Sequence, residues 1–509
     1  MALFHGFLAR AGQNLADLDR RCHWIGLGLI ACVTLALAVH LCKNTKYKYP
    51  NPIPGIPFFG NSFQMPSKSQ GPYMTTLARK SGDMLTMTIG GTPWLFLNSR
   101  RAVNALLDKK AAIYSSRQDL PMANNIISGN KRLLLMPYGT DWRKQRKAMH
   151  QILNNTKSNI FQPFQDVESR ALLYHFMDNP DRWWEANARF ANSIIMSVTY
   201  GKRSGLGDAN LASLLSNAEQ FVPYLMPGQA LVDIFPCLLK LPIPSSWQPW
   251  RWWGDALHQS TKSAYKKLMD ELLERRRLGI QRPCFMTEFL DNNKDGEFTT
   301  EDCYFMAGTL IEAGSDTTRI ILMEIIAAAV LYPDWVERAQ QQPDSVCGSK
   351  AERLPGFEDL TQLPLIKGVI KEGLRWKPAI AETGIPHSLT KDDTHWAISH
   401  LDYEDPERFY PERFLDDDLD VPTKGHLGFG AGRRVCVGNT VAWKNMFIGV
   451  SRLLYCFDFT GVPGENIDTT LSLDIQYGKA PFSVKIKPRS EAHRQLIERE
   501  CADAAKMES

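Results

Sequence analysis

Residues 429–438 of this 509-residue chain read FGAGRRVCVG, and this stretch decides the predicted fold. It places one cysteine, Cys436, in a glycine-rich loop that runs directly into an amphipathic stretch of helical periodicity, residues 440–457. A sulfur just ahead of a helix lies near free backbone N–H groups and the positive end of the helix dipole. Both favour thiolate over thiol, so we expect Cys436 to act as a thiolate.

The neighbours of Cys436 suit a flat cofactor that carries carboxylates. Gly432 and Gly438 let the backbone turn sharply and approach a ligand closely. Arg433 and Arg434 stand beside the sulfur, and guanidinium groups bind carboxylates. A thiolate, a close backbone and an adjacent arginine are what a haem with two propionates needs. The competing interpretation is a glycine-rich turn that holds one buried cysteine.

The pattern Phe429, Gly432, Arg434, Cys436, Gly438 resembles the haem-ligand loop of the cytochrome P-450 family, with every signature position filled. The resemblance extends over nearly the whole chain and implies a predominantly α fold with small β-sheets, of the α+β class. It implies haem b, iron protoporphyrin IX, as the cofactor and Cys436 as the axial iron ligand. Residues 301–319 and 428–439 are similar to fungal microsomal members, including the O-methylsterigmatocystin oxidoreductase group.

A second motif, LIEAGSDTT at residues 310–318, lies in a long predicted helix, residues 303–331. Ala313 and Gly314 give that helix a face without bulky side chains, which a flat cofactor and a diatomic ligand can approach. Asp316 and Thr317 set a carboxylate beside a hydroxyl, a pair that suits proton delivery at a dry site. Small residues in helices usually mean tight packing, but the motif resembles the family's oxygen-binding motif. The resemblance gives Asp316 the acid role and Thr317 the alcohol role.

Two further parts of the chain, which supply three residues between them, fit contacts to the haem propionates. Trp142 and Arg146 lie four residues apart on one predicted helical face, where an indole N–H and a guanidinium can bind one carboxylate. His387, in the sequence IPHSL, matches a position that contacts a propionate in relatives. With Arg434 these residues form one consistent set for the haem carboxylates.

A structural ion network is also expected. Glu372 and Arg375 are three residues apart and share one helix face. Together with Arg413 they resemble the Glu–Arg–Arg brace of the family. We interpret these three residues as structural rather than catalytic, because a buried network of this kind is costly to break.

The N-terminal part of the chain predicts a membrane anchor. After an N-terminal segment, residues 1–23, residues 24–42 are almost wholly apolar and would span about 28 Å as a helix. A cleaved signal peptide fits such a long apolar region poorly, and the proline-rich stretch that follows would isolate a core helix. Residues 43–60 predict a basic, proline-rich hinge. Basic residues flank both ends of the span, so the resemblance alone implies a cytosolic domain on the endoplasmic reticulum.

Residues 61–488 are predicted to form the haem-thiolate domain, with a hairpin around residues 90–91 and mainly helices from residue 101 to 332. Residues 489–509 are polar, and we expect a loosely held tail. The Trp-rich stretch 235–253 predicts either an interfacial patch that dips into lipid headgroups or a buried aromatic cluster. Its position resembles the loop over the substrate entrance of membrane-bound relatives.

Residues 291–302, DNNKDGEFTTED, nearly satisfy a calcium-loop template. The twelfth position is Asp302 rather than glutamate, Phe298 replaces the usual aliphatic residue, and a partner loop is lacking. We therefore interpret this stretch as a solvated acidic loop.

One part of the family pattern is missing. Relatives carry a further hairpin between the strand of the propionate contact and the next strand. Here residues 391–393 are followed at once by residues 394–396, so roughly a dozen residues are absent, about the length of a hairpin. Either the protein has lost this hairpin or the gene model was spliced incorrectly.

Composition excludes some classes of protein. The formal net charge of +4 is too small to indicate a nucleic-acid binder. The 10 cysteines lack the dense, regular spacing of a disulfide scaffold, which favours a reducing compartment.

These patterns predict a membrane-anchored haem monooxygenase that inserts one atom of O₂ into an apolar organic substrate, in fungal secondary metabolism. The sequence has no flavin or nicotinamide fingerprint, so a partner must supply electrons. The resemblance implies the membrane-bound NADPH–cytochrome reductase, docking near Arg433 and Lys444. The alternatives are a haem-thiolate isomerase or dehydratase, and a catalytically impaired haem-binding remnant. Substrate specificity is expected in residues 114–138, in residues 235–253 and on the helix before Ala313.

Overall fold

The computed structural model describes residues 48–506, except 58, 67–69, 90–91, 155, 226–228, 235, 243, 294–295, 380–386, 389–394, 399–402, 404 and 469–478. Among these residues, no helix is both long and apolar enough to cross a membrane. The predicted anchor, residues 24–42, lies outside the described part of the chain.

The described chain is mainly helical, as the sequence predicts, and its helices surround one long central helix. The helices are α1 Gln70–Ser81, α2 Arg100–Val103, α3 Thr140–Leu153, α4 Gln162–Asp178, α5 Trp183–Tyr200, α6 Ala209–Phe221, α7 Leu231–Ile234, α8 Pro249–Arg277, α9 Phe285–Asn292, α10 Thr300–Leu331, α11 Val336–Cys347, α12 Pro364–Trp376, α13 Asn439–Cys456 and α14 Glu491–Lys506. The predicted helices at residues 303–331 and 440–457 are confirmed as α10 and α13, with ends that differ by three residues or fewer.

The β-structure is confined to two small sheets. The strands are β1 Met84–Ile89, β2 Thr92–Leu97, β3 Ser116–Arg117, β4 His387–Ser388, β5 His395–Ile398, β6 Phe457–Gly461 and β7 Val484–Pro488. The first sheet has the order β1-β2-β5-β4-β3, and β6 pairs with β7 in the second. The predicted hairpin is confirmed, because β1 and β2 pair antiparallel from Met84 opposite Leu97 to Ile89 opposite Thr92.

The first sheet forms across the point where the sequence predicts the loss of a hairpin. β4 and β5 pair antiparallel, with His387 opposite Trp396, and β5 runs parallel to β2. Six residues, 389–394, join the two strands and lie outside the described part of the chain. Strand order in this sheet therefore does not depend on the absent segment.

Helix α10 is the centre of the main hydrophobic core. A capping box starts it, since Thr299 Oγ1 accepts from the Asp302 N–H at 3.2 Å and Asp302 Oδ2 accepts from the Thr299 N–H at 2.9 Å. Most of its residues are buried on every side, as expected of an apolar helix inside a domain. It packs along α5 and contacts α12 and α13, so it approaches the helix that follows the cysteine loop.

The predicted Glu–Arg–Arg brace is present. Glu372 is fully buried, with Oε2 2.6 Å from Arg375 Nε and Oε1 3.1 Å from Arg413 Nε. The Tyr410 N–H also donates to Glu372 Oε1 at 2.7 Å. Arg375 reaches beyond the carboxylate to the Pro406 carbonyl at 2.8 Å. These contacts fix α12 against the chain segment that leads to the cysteine loop.

The Trp-rich stretch has features of both interpretations. Trp247 and Trp252 are 75% and 54% exposed. Trp250 and Trp253 instead pack against an apolar cluster, with the Trp253 ring 4.8 Å from the Tyr224 ring. The first pair is thus exposed, as an interfacial patch would need, and the second pair packs against a buried cluster, as the alternative would need.

Both end residues of the acidic stretch are engaged in ion pairs. Asp291 pairs with Arg276 at 2.6 Å, and Asp302 caps α10 while its Oδ1 lies 2.7 Å from Lys131 Nζ. Within the described residues, no three His, Cys, Asp or Glu side chains group so as to hold a metal ion.

The prediction of a loose C-terminal tail was wrong. Most of the predicted tail forms α14, whose buried side chains are His493, Leu496, Ile497, Cys501 and Ala504. The helix packs along α4, and Glu500 pairs with Arg170 at 3.2 Å. Its charged residues occupy the outer face. The segment is polar on average, but its apolar residues lie on one face of the helix and pack against the core.

Because α14 is integral to the core, we predict that Leu496→Ala lowers the free energy of unfolding by about 2–5 kcal/mol through the cavity it leaves. Denaturant unfolding of the purified protein measures this loss. The adjacent, exposed Gln495 provides the matched control, and Gln495→Ala should leave the unfolding midpoint unchanged. Equal midpoints for wild type and Leu496→Ala would show that α14 is loosely held after all.

Candidate active site

The backbone of the cysteine loop depends on two of its glycines. Gly430 and Gly432 have φ of +73° and +61°, a left-handed region that side chains disfavour. A Cβ on Gly432 would also lie 2.1 Å from the Leu107 carbonyl oxygen. The Cys436 N–H donates to the Phe429 carbonyl at 2.8 Å and closes the loop. Any other residue at position 432 would push the loop away from the segment beneath it.

Cys436 is exposed within crowded surroundings. Its side chain is solvent-accessible, yet the polypeptide surrounds it closely enough that burial raises the pKa of its thiol. Hydrogen bonding from Gly438 and the charge of Arg146 oppose this rise without cancelling it. We expected the helix N-terminus to favour the thiolate; in the polypeptide alone, desolvation outweighs the hydrogen bond from Gly438 and the charge of Arg146, so the pKa of the thiol lies above its usual value.

Arg434 turns inward and is held by backbone oxygens. Its Nε donates to the Ser115 carbonyl at 2.7 Å, and its Nη2 donates to the Met136 carbonyl at 2.8 Å. Its guanidinium carbon lies 4.3 Å from the centre of the Trp142 ring, which is itself buried. The structure thus brings together Trp142 and Arg434, as the sequence predicts.

Arg146 is the third member of the predicted set. It lies one helical turn after Trp142 on α3, 6.0 Å from that ring, and donates to the Val435 carbonyl beside Cys436. Arg433 differs from its neighbour, since it is exposed and contacts Tyr138. Only one of the two adjacent arginines therefore faces the interior.

A further arginine joins this group and was missed by the sequence analysis. Burial lowers the pKa of Arg117 to about 10, and its Nε donates to the Leu134 carbonyl at 3.1 Å. The pKa of Arg434 is lowered by burial and then by repulsion from Arg117 and Arg146. What places Arg117 near the predicted propionate contact is the register of β3 with β4, which sets it opposite His387. Only the backbone of His387 belongs to the described part of the chain, so its contact with a propionate stays a prediction.

Helix α10 presents the second motif. Ala313 is exposed although most of α10 is buried, and the Thr317 hydroxyl donates to the Ala313 carbonyl at 2.6 Å. Asp316 lies 3.2 Å from Arg319 on the same helix. We expected Gly314 to clear space for a cofactor, but a Cβ there would lie 2.6 Å from Ile195. Its small size serves the packing of α10 on α5.

These observations fit a haem. Buried, mutually repelling guanidinium groups are stabilised by anions, which the two propionates supply. Cys436 is solvent-accessible, as a residue that binds a metal ion of a cofactor must be. The backbone at Gly438 is uncrowded, since an added Cβ would meet no atom within 4 Å.

Comparison with known proteins agrees with this geometry. The cytochrome P450 family model matches residues 50–487. The cytochrome P450 monooxygenase fogE of Aspergillus ruber is 30% identical, covering 92% of each chain. The cytochrome P450 monooxygenase aneD of Aspergillus aculeatus is 32% identical over 93% of this chain and 94% of its own. The cytochrome P450 monooxygenase virE of Hypocrea virens is 30% identical, with coverages of 95% and 93%.

The ligand loop, the arginine group and the α10 motif thus occur in a chain whose sequence matches one family model over most of its length. The chain belongs to the cytochrome P450 family.

Proposed function

We propose that this chain is a haem-thiolate monooxygenase that inserts one atom of O₂ into an apolar organic substrate in fungal secondary metabolism. The observation that carries the proposal is the accessible Cys436 beside the buried group of arginines. The relatives described above are fungal and are named cytochrome P450 monooxygenases. The narrower resemblance to the O-methylsterigmatocystin oxidoreductase group rests on the amino-acid sequences of residues 301–319 and 428–439.

In this proposal, Cys436 would bind the haem iron, and the propionates would be bound by Trp142, Arg146, Arg434 and His387. A haem bound here supplies the iron at which dioxygen is reduced and from which one oxygen atom passes to the substrate. Coordination to iron deprotonates a thiol outright, so the raised pKa of free Cys436 does not oppose ligation. Phe429, Gly432 and Gly438 shape the loop around the sulfur.

Thr317 and Asp316 are proposed to deliver the protons that dioxygen reduction consumes. The Thr317 hydroxyl donates to the Ala313 carbonyl, and rotation about its Cα–Cβ bond would release it toward the space that Ala313 leaves open. Asp316 lies next to it in sequence and pairs with Arg319 at 3.2 Å. An alcohol at the site and an acid behind it form a path of the kind that general acid catalysis requires.

Electrons are proposed to come from NADPH through a partner reductase at the face that carries Arg433 and Lys444. Arg433 is exposed there, while Lys444 reaches Ser158 Oγ at 2.9 Å. Residues 24–42 are proposed to anchor the chain in the endoplasmic reticulum membrane, with residues 43–60 as hinge and the catalytic domain cytosolic. The exposed rings of Trp247 and Trp252 support a second contact with the membrane.

If Cys436 is the ligand, Cys436→Ser removes the sulfur and should abolish the thiolate-type carbon monoxide difference spectrum of the reduced protein. Cys303→Ser, which changes a buried cysteine of α10, is the matched control and should keep that spectrum. A thiolate-type spectrum from Cys436→Ser would mean that another residue binds the iron.

If Thr317 carries the relay, Thr317→Ala should keep haem and substrate binding but divert electrons to hydrogen peroxide. Product formation should fall by roughly 10-fold or more, while NADPH consumption falls much less. The measured quantity is the ratio of product to NADPH consumed, with the reductase present. Ser315→Ala removes a hydroxyl from the opposite side of α10, where it bonds to Asn192 at 2.9 Å, and should leave the ratio unchanged.

An unchanged ratio in Thr317→Ala would contradict the relay. Product formed without NADPH or O₂ would indicate an isomerase or dehydratase. Haem binding without any product from the wild-type protein, across a panel of polyketides, terpenes and indoles, would indicate the impaired remnant.

If residues 24–42 anchor the chain, deletion of residues 1–42 should move much of the protein from the membrane to the soluble fraction after cell fractionation. Replacing Trp247 and Trp252 by serine in the truncated chain should release the remainder. Full retention of the truncated chain on membranes would assign the anchoring to another part of the protein.

A further inference from the structure

A buried ion pair outside the cysteine loop joins α10 to the segment ahead of α3. Arg132 Nη2 lies 2.8 Å from Glu312 Oε1, and the Arg132 side chain is only 2% exposed. The same nitrogen lies 3.3 Å from the Tyr265 hydroxyl of α8, which also donates to Glu312. Glu312 immediately precedes Ala313 on α10. One carboxylate therefore ties two elements to the helix that carries the second motif.

Packing leaves this ion pair little freedom. The Arg132 guanidinium carbon lies 3.8 Å from the centre of the Phe221 ring. The Tyr265 ring rests on Gly308 of α10, where a Cβ would lie 2.2 Å from the ring. Since a desolvated guanidinium needs a fixed counter-charge, the position of Arg132 follows that of Glu312.

The backbone of Arg132 closes a tight turn. Its carbonyl accepts from the Leu135 N–H at 3.0 Å and from the Met136 N–H at 3.2 Å. Anchoring the side chain of Arg132 therefore also fixes the turn at residues 132–136.

The remaining carbonyls of this turn hold two arginines of the cofactor site. The Met136 carbonyl accepts from Arg434 at 2.8 Å, and the Leu133 carbonyl accepts from the same guanidinium at 3.4 Å. Between them, the Leu134 carbonyl accepts from Arg117 at 3.1 Å. Three acceptors on one short turn thus set the direction in which two guanidinium groups point.

We propose that Glu312 is a positioning residue for the haem carboxylates: by holding Arg132, it fixes the turn whose carbonyls orient Arg434 and Arg117. This inference rests on the role of Arg434 proposed above. Supporting groups behind direct ligands typically change affinity by about 10–100-fold when they are removed. Glu312 therefore acts on haem retention through another residue and does not touch the cofactor itself.

The test is the rate at which the full-length holoprotein transfers haem to an excess of haem-free globin, followed by absorbance. Glu312→Gln keeps the shape of the side chain but removes its charge, and should accelerate transfer by about tenfold. Arg434→Gln should accelerate it at least as much. If Glu312→Gln does not fold, Arg132→Lys replaces it, because lysine keeps the charge but loses the fork that spans Glu312 and Tyr265.

Glu168 offers a matched control. It is 1% exposed and paired with two arginines, Arg189 and Arg203, yet none of these contacts involves the turn at residues 132–136. Glu168→Gln should lower the unfolding midpoint as Glu312→Gln does, while haem transfer keeps its wild-type rate.

Each outcome decides between the alternatives. If Arg434→Gln accelerates transfer and Glu312→Gln does not, the positioning role is wrong and the proposed haem site stands. If neither variant changes the rate, both are overturned. If Glu168→Gln accelerates transfer as much as Glu312→Gln, the effect is general destabilisation and the inference fails.

Discussion

Burial of guanidinium groups in a low-dielectric interior is the constraint on which this structure depends. Arg117, Arg146 and Arg434 come from a short strand, from α3 and from the cysteine loop, and burial lowers the pKa of each. Backbone carbonyls offset part of the cost, because they present partial negative charge without adding a titratable group. The remaining positive charge suits a dianionic cofactor, so cofactor binding and folding act on the same residues.

The same constraint explains why so much of the fold is devoted to holding a few segments in place. The loop that carries Cys436 lies between the Glu372 brace and helix α13, and both are buried. Helix α14 reinforces the rear of the domain through α4, although it lies beyond the residues that the family model matches. These elements touch no reacting atom, yet they hold the loop and its arginines in position.

Chemistry at Cys436 is balanced against burial in a similar way. The crowded protein surroundings that raise the pKa of its thiol would also strengthen the electrostatic contacts of a bound cofactor. On the opposite side, α10 combines an open patch at Ala313 with tight packing at Gly314 and Gly308. Helix α10 can therefore leave Ala313 exposed while α8 is held to it by the contact between Tyr265 and Glu312.

The sequence by itself determined the features that depend on short segments of the chain. Glycine spacing around Cys436 encodes the turn of its loop, the apolar run of α10 predicts a buried helix, and the spacing of Glu372 and Arg375 places both on one helix face. Each of these depends on backbone conformations and periodicities within a few residues.

Only the tertiary structure decided the rest, because these features arise where distant segments meet. Strand register sets Arg117 opposite His387, and Arg132 pairs with a carboxylate 180 residues away. Gly314 packs α10 closely on α5, and desolvation raises the pKa of the Cys436 thiol. Burial and like-charge repulsion are sums over all neighbours in space, so no local pattern in the sequence can specify them.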